Sequence, residues 1–351
     1  MQSKEQIVAS FDPNGPGIRG QLFGLPFSPE NSELVLIPAP WDVTVSYHDG
    51  TSRGPQAILD ASYQVDLFVK DIPDAWKLGV CMLSTSGEIF EENKLLRALA
   101  AQHISNVENG KRIPSDDPAL RTINGACEKF NEHIRSVAQK YLNEGKIVAL
   151  VGGDHSSPLG FIRALADVYD RFAVLQIDAH ADLRNSYEGF PYSHASIMYN
   201  ALKVPAVGKL IQVGIRDLCE EEANVMQRAM GRIVTFYDHD MRSSMLSGKS
   251  WDNVCTEIIK HLPPLLYISV DIDGFDPKLC PNTGTPVPGG IEFHEFVYLL
   301  KKIVLSGRKV IGFDLSEVCP GNGDWDANVG ARILYQLCNW TAVSHNKLVV
   351  R

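Results

Sequence analysis

Residues 172–182 read FAVLQIDAHAD, a short apolar run that ends in three ligand-type side chains, Asp178, His180 and Asp182, spaced by alanines. The run 172–177 lacks the polar alternation of a half-exposed strand, so it reads as a strand buried on both faces. Equivalent runs occupy 34–37, 147–151, 210–213, 265–270 and 310–313, with helical spacing at 126–144 and 158–170 between them. Strand and helix alternate, which predicts one doubly wound α/β domain with a mainly parallel central sheet flanked by helices. The expected domain takes in the whole chain, 1–351, with an N-terminal extension over about 1–30. The polar stretch 88–118 contains NGKRIPSDDP and is expected to be a helical insertion ending in a surface loop.

With 44% hydrophobic and 21% charged residues, the chain has the composition of a folded soluble core rather than of a disordered segment. Its formal net charge of -9 argues against nucleic acid and anionic membrane as partners, since both reward a basic face. The start, MQSKEQIVASFDPNGPG, has no apolar signal core, and no apolar stretch is long enough to span a bilayer; a cytoplasmic location is expected. The seven cysteines form no CxxC pair and read as buried or idle thiols.

Period-two spacing puts Asp178, His180 and Asp182 on one side of an extended segment. Because they follow a buried strand, they belong at its carboxyl end, where open α/β sheets bind ligands. Alone, such a group reads as solvated loop carboxylates with a satisfied histidine. Two further strand ends outweigh that: Gly152-Gly153-Asp154-His155-Ser156 after 147–151, and Asp271-Ile272-Asp273-Gly274-Phe275-Asp276-Pro277 after 265–270. Together His155, Asp178, His180, Asp182, Asp271 and Asp273 supply four carboxylates and two imidazoles without thiolates, a set suited to manganese and similar divalent ions. Four aspartates balance two divalent charges, so two metals are expected. Asp154 and Asp276 read instead as turn caps or orienting carboxylates, and Ser156 and Ser157 as helix caps.

The blocks GGDHS (152–156), DAHAD (178–182) and SVDIDGFDP (269–277) resemble the three signature blocks of the ureohydrolase family of arginases, agmatinases and formiminoglutamases, over about 37–337. The resemblance implies the arginase-like three-layer α/β/α fold. It also implies one Mn2+ held by His155, Asp178, Asp182 and Asp271 and a second by Asp178, His180, Asp271 and Asp273, with Ni2+ or Co2+ able to use the same ligands. YEGFPYSHAS (187–196) is similar to the agmatinase block whose histidine shuttles protons, which implies that role for His194. DLSEV (314–318) resembles the block whose glutamate holds the guanidinium, which implies Glu317. PWDVTVSY (40–47) and GTSRGP (50–55) look like the family's pocket-lining loop, but His48-Asp49 stands where Arg-Pro is frequent. Trp41 and His48 read equally as packing and as pocket lining. A homotrimer or homohexamer is also implied.

In the reaction so implied, water bridging two divalent metals is acidified to hydroxide and attacks the guanidinium carbon. Glu317 orients that carbon, and His194 passes a proton to the leaving amine, a task suited to the near-neutral pKa of imidazole. Hydroxide and Glu317 leave the pocket about two charges negative, which favours a small cationic guanidino substrate. Agmatine, cleaved to putrescine and urea, is expected first. The blocks are agmatinase-like, and 185–193 contains Glu188 but no Lys or Arg for an α-carboxylate. Arginine, guanidinobutyrate, guanidine and formiminoglutamate are the alternatives within the family. A silent subunit of a mixed oligomer would have lost ligands, whereas all six are present, and a single-zinc deacylase on a related fold would not need Asp182 and Asp273 together.

Overall fold

The computed structural model describes residues 3–114 and 116–351. Its strands are β1 (Leu34–Ala39), β2 (Val80–Met82), β3 (Ile147–Gly152), β4 (Phe172–Ile177), β5 (Val207–Ile215), β6 (Ile233–Tyr237), β7 (Leu265–Asp271) and β8 (Lys309–Ser316). They form one sheet in the order β2-β1-β3-β8-β7-β4-β5-β6, and every pairing is parallel. The period of two sends alternate side chains to opposite faces. Leu34 and Leu36 enter one core cluster and Val35 and Ile37 the other; Ile147 and Ala149 part from Val148 and Leu150 in the same way. Helices Gly54–Ser62, Trp251–His261, Phe293–Leu305 and Trp325–Ser344 cover the first face. Gly87–Glu108, Pro118–Asn143, Leu159–Ala166 and Ile197–Ala201 cover the second. Both faces being covered explains why the strands are continuous apolar runs.

The chain builds β1 to β3 on one side, crosses to β4, β5 and β6 on the other, and then fills the middle with β7 and β8. The carboxyl ends of β3, β8, β7 and β4 therefore lie side by side where connections diverge, the place at which such sheets open a crevice.

Two strands carry no clear mark in the sequence. β2 is only three residues long, and β6 pairs on one side and is half-buried over most of its length. In the 88–118 stretch, Gly87–Glu108 is a helix whose Ser86 Oγ accepts from Ile89 N, and it buries Asn93, Leu96, Ala100, His103 and Ile104. Asp117 then caps Pro118–Asn143 by accepting from Ala119 N and Leu120 N. Near the N-terminus, Leu22, Phe23, Leu25 and Phe27 are buried, and Phe23 packs edge-on against Tyr335 at 4.8 Å. Residues 1, 2 and 115 of these two segments lie outside the described residues. No helix among the described residues is long and apolar enough to cross a membrane.

Candidate metal centre and active-site cleft

Asp178 to Asp182 leave the end of β4, His155 follows β3, Asp271 closes β7, and Asp273 sits in the turn Ile272–Gly274. His155 Nδ1 lies 3.0 Å from Asp178 Oδ2, 3.0 Å from Asp182 Oδ2 and 3.3 Å from Asp271 Oδ2. His180 Nδ1 lies 3.0 Å from Asp273 Oδ2 and 3.7 Å from Asp178 Oδ1. Ligand atoms of His155, Asp178 and Asp271 can meet on one ion and those of Asp178, His180 and Asp273 on another, so Asp178 is common to both groups and Asp271 falls in the first. All six predicted side chains are thus brought together, and all except His180 are buried. His155 Nδ1 makes no hydrogen bond although three carboxylate oxygens surround it. Donor atoms aimed at a common point rather than at one another fit a cation between them.

The local backbone is built for this convergence. A Cβ on Gly153 would lie 2.0 Å from Trp41 O, and one on Gly274 would lie 2.6 Å from Asp178 N, so only glycine fits at either place. Asp182 and Glu317 take left-handed φ angles of 56° and 64°, conformations that the surrounding contacts must hold.

Beneath these six side chains runs a layer of mostly buried polar side chains that escaped the sequence reading. His155 Nε2 meets Ser269 Oγ at 2.9 Å. Asp314 accepts from Tyr267 Oη at 2.5 Å and from Ser316 Oγ at 3.0 Å. On the other side Gln176 Nε2 donates to Asp178 Oδ2 at 2.8 Å, Gln212 Nε2 donates to Gln176 Oε1, and Thr235 Oγ1 donates to Gln212 Oε1. Backbone groups complete the hold: Ala179 N donates to Asp273 Oδ1 and Asp273 N to Asp271 Oδ1. The available signal was a polar residue inside a buried apolar run, Gln176 in FAVLQI and Ser269 in LLYISVD, because such a group needs a partner.

Burial opposes every charge in the cluster. Against it, Asp273 and Asp178 push His180 up to about 12, and Asp178 and Asp182 lift His155 well above the histidine range. Burial and Asp178 push Asp182 up to about 7; burial, Asp273 and Asp178 raise Asp271 well above the carboxylate range. Asp178, although buried, is held low by its two imidazoles. The carboxylates thus exceed what the imidazoles neutralise, a surplus that divalent cations relieve.

A cleft of about 210 Å³ opens over the centre, lined among others by Ser46, His180, Asp182, Arg184, Tyr187, His194, Asp217, Cys219, Glu222 and Thr285. Arg184 N donates to Ala195 O, and Met198 N and Tyr199 N donate to Asp182 O, so the His194 turn folds back onto the ligand segment. Burial, with His180 and His155 nearby, presses His194 down to about 3. That departs from the near-neutral value expected of it and keeps the imidazole neutral. Glu317 is not among the residues lining this cleft: it is buried, its Oε1 accepts from His155 N at 2.9 Å, and its Oε2 makes no hydrogen bond. Burial and Asp154 raise Glu317 well above the carboxylate range.

Other expectations divide. Trp41 is core, stacked on Phe130 at 4.4 Å, whereas His48 is exposed on the rim against Tyr47. Asp154 caps its own turn, accepting from Ser156 N and Oγ, and Asp276 accepts from Lys278 N. Ser156 and Ser157 do not cap the following helix: they bind Asp154, and Pro158 occupies the N-cap. Six cysteines are buried, but Cys219 is only half-buried and borders the cleft. The absence of a cation in 185–193 is correct as sequence, yet Arg184, one residue earlier, lines the cleft 4.7 Å over the Tyr187 ring and 3.8 Å from Glu222.

Known proteins resemble this chain in sequence and in fold. The chain is 31% identical over 316 residues to the N(1)-aminopropylagmatine ureohydrolase of Thermus thermophilus, covering 90% of this chain and 92% of that protein. It is 28% identical over 296 residues to the agmatinase of Halalkalibacterium halodurans, covering 83% and 85%. The solved agmatine ureohydrolase of Thermoplasma volcanium has the same fold, with a TM-score of 0.70 at 22% identity over 98% of this chain and 99% of that one. The model of the Arginase family spans residues 32–339, and this chain belongs to the arginase family.

Proposed function

We propose that this chain hydrolyses the C–N bond of a guanidino compound to urea and an amine at a two-metal centre, with agmatine, yielding putrescine, as substrate. The observation that carries this is the pair of ligand groups sharing Asp178 at the strand ends of an arginase-family chain. His155, Asp178, Asp182 and Asp271 would hold one ion, and Asp178, His180, Asp271 and Asp273 the other. Oxygen and imidazole donors without thiolate favour Mn2+, and Ni2+ or Co2+ would fit the same set. Bound there, the divalent pair supplies an acidified water as nucleophile near neutral pH.

The protein's own groups do the rest. Glu317 offers the unpartnered Oε2 to the substrate guanidinium, and that cation draws its carboxyl back toward the ionised form. Held so, the planar carbon is oriented for attack. His194 takes the proton that the attacking water gives up and delivers it to the leaving amine. A cytoplasmic homotrimer or homohexamer completes the proposal.

The tail of the substrate faces mixed charge, since Asp217 and Glu222 border the cleft together with Arg184. Relatives named N(1)-aminopropylagmatine ureohydrolase support a second reading, agmatine extended by an aminopropyl group. Loss of ligands would favour a silent subunit of a mixed oligomer, and no ligand is lost. The test is urea release by metal-loaded protein from agmatine, aminopropylagmatine, arginine, guanidinobutyrate and guanidine, with formamide detection for formiminoglutamate. We expect kcat/KM to be highest for agmatine or its aminopropyl derivative. Release from the acids alone would contradict the cationic-tail assignment.

A further inference from the structure

The helix Gly87–Glu108 bonds to the two segments that carry Ser46 and Tyr187 of the cleft lining while supplying none of the six clustered side chains. At its near end Asn93 forms a reciprocal pair with Asp42: its Oδ1 accepts from Asp42 N and its Nδ2 donates to Asp42 Oδ1, each at 2.8 Å. Asp42 Oδ2 in turn accepts from Gly50 N at 2.9 Å and Ser52 N at 3.0 Å, closing the rim loop that carries Ser46. One turn on, Arg97 Nη1 donates to Val43 O at 3.0 Å. Near the far end, His103 Nε2 meets Glu188 O at 2.8 Å, so the ring donates there, and the ring packs on Phe190 at 5.1 Å. That bond falls on a turn in which Glu188 takes a φ of 53°, a conformation that in a non-glycine residue needs an outside hold. The same turn begins at Tyr187 and leads on to His194, and the two rings stand 6.4 Å apart at the cleft. Asn93, Arg97 and His103 lie along one stripe of the helix, anchored by buried Leu96, Ala100 and Ile104. The helix therefore spans about 15 Å from wall to wall.

We infer that this helix is the brace that positions both walls of the cleft, with Asn93 setting the substrate rim and His103 setting the loop that carries His194. The inference rests on the proposed role of His194. A positioning residue acts through another group, so its loss divides kcat from KM according to the wall it holds. His103→Leu removes the donor under the His194 loop; kcat should fall about tenfold or more, with KM within about twofold and bound metal unchanged. His103→Gln keeps a donor at a similar reach and should recover most of the rate. Asn93→Leu frees the rim, and KM should rise about tenfold with kcat little changed. Thermal midpoints measured on each variant separate general loosening, which lowers stability without this split. If His103→Leu is insoluble, His103→Ala carries the kcat arm, and the half-buried Arg97→Gln, which holds the rim through Val43 O, carries the KM arm. Wild-type kcat in His103→Leu, or equal changes of kcat and KM in both Asn93→Leu and His103→Leu, would overturn the brace. His194→Ala run alongside keeps the claims apart: full turnover there removes the proton relay, whereas lost turnover there beside an unaffected His103→Leu removes only the brace.

Discussion

His155 is held at both edges of its ring, by three carboxylate oxygens around Nδ1 and by Ser269 Oγ at Nε2. The hydroxyl fixes which nitrogen faces the carboxylates, and Asp314, tied by Tyr267 and Ser316, stands 4.0 Å beyond that edge of the ring. Ser269→Ala leaves all six ligands in place but lets the imidazole rotate. Metal affinity should fall about tenfold to a hundredfold while the fold persists, read by competition with a chelator. Unchanged affinity would mean that packing alone orients His155. At this scale the cluster of six side chains was legible because Asp and His at strand ends are conspicuous. Arg184 was not, since the sequence tells nothing of which side chain after Asp182 turns toward the cleft.

Among the elements, the junction between β3 and His155 is closely packed. Gly153 touches the Trp41 backbone, and Glu317 N donates back to Gly153 O at 2.7 Å, so the turn is clamped between two other strand ends. Gly153→Ala sets a methyl against a carbonyl that cannot yield without moving the loop. It should destabilise the protein by about 3 kcal/mol or more, measured by denaturant unfolding, and weaken metal binding with it. Gly125 is the control: exposed within Pro118–Asn143 with open space around a new Cβ, it should give about 0.5–1 kcal/mol of stabilisation on change to Ala. The polarity of 88–118 suggested a helical insertion ending in a surface loop; Gly87–Glu108 is a helix, and its stripe from Asn93 to Ile104 is buried against the core.

For the whole molecule, the sheet was legible wherever strands are buried on both faces, because each then becomes an uninterrupted apolar run. β2 and β6 form the two edges, where pairing on one side allows a short or half-polar strand, and they left little trace. Strand order was also out of reach, since only the folded sheet shows β7 and β8 entering between β3 and β4. That insertion is what brings Asp271, Asp273 and Glu317 beside the Asp178–Asp182 segment at the end of β4, making the cluster a product of topology as much as of motif. Its most direct test is metal stoichiometry on Mn2+-loaded, dialysed protein, measured by elemental analysis together with urea release. The two groups sharing Asp178 predict two ions per chain in the native protein, and in Asp178→Asn fewer than one with urea release lost in parallel. Two ions retained by Asp178→Asn, or full urea release from native protein holding one ion or none, would contradict the shared centre.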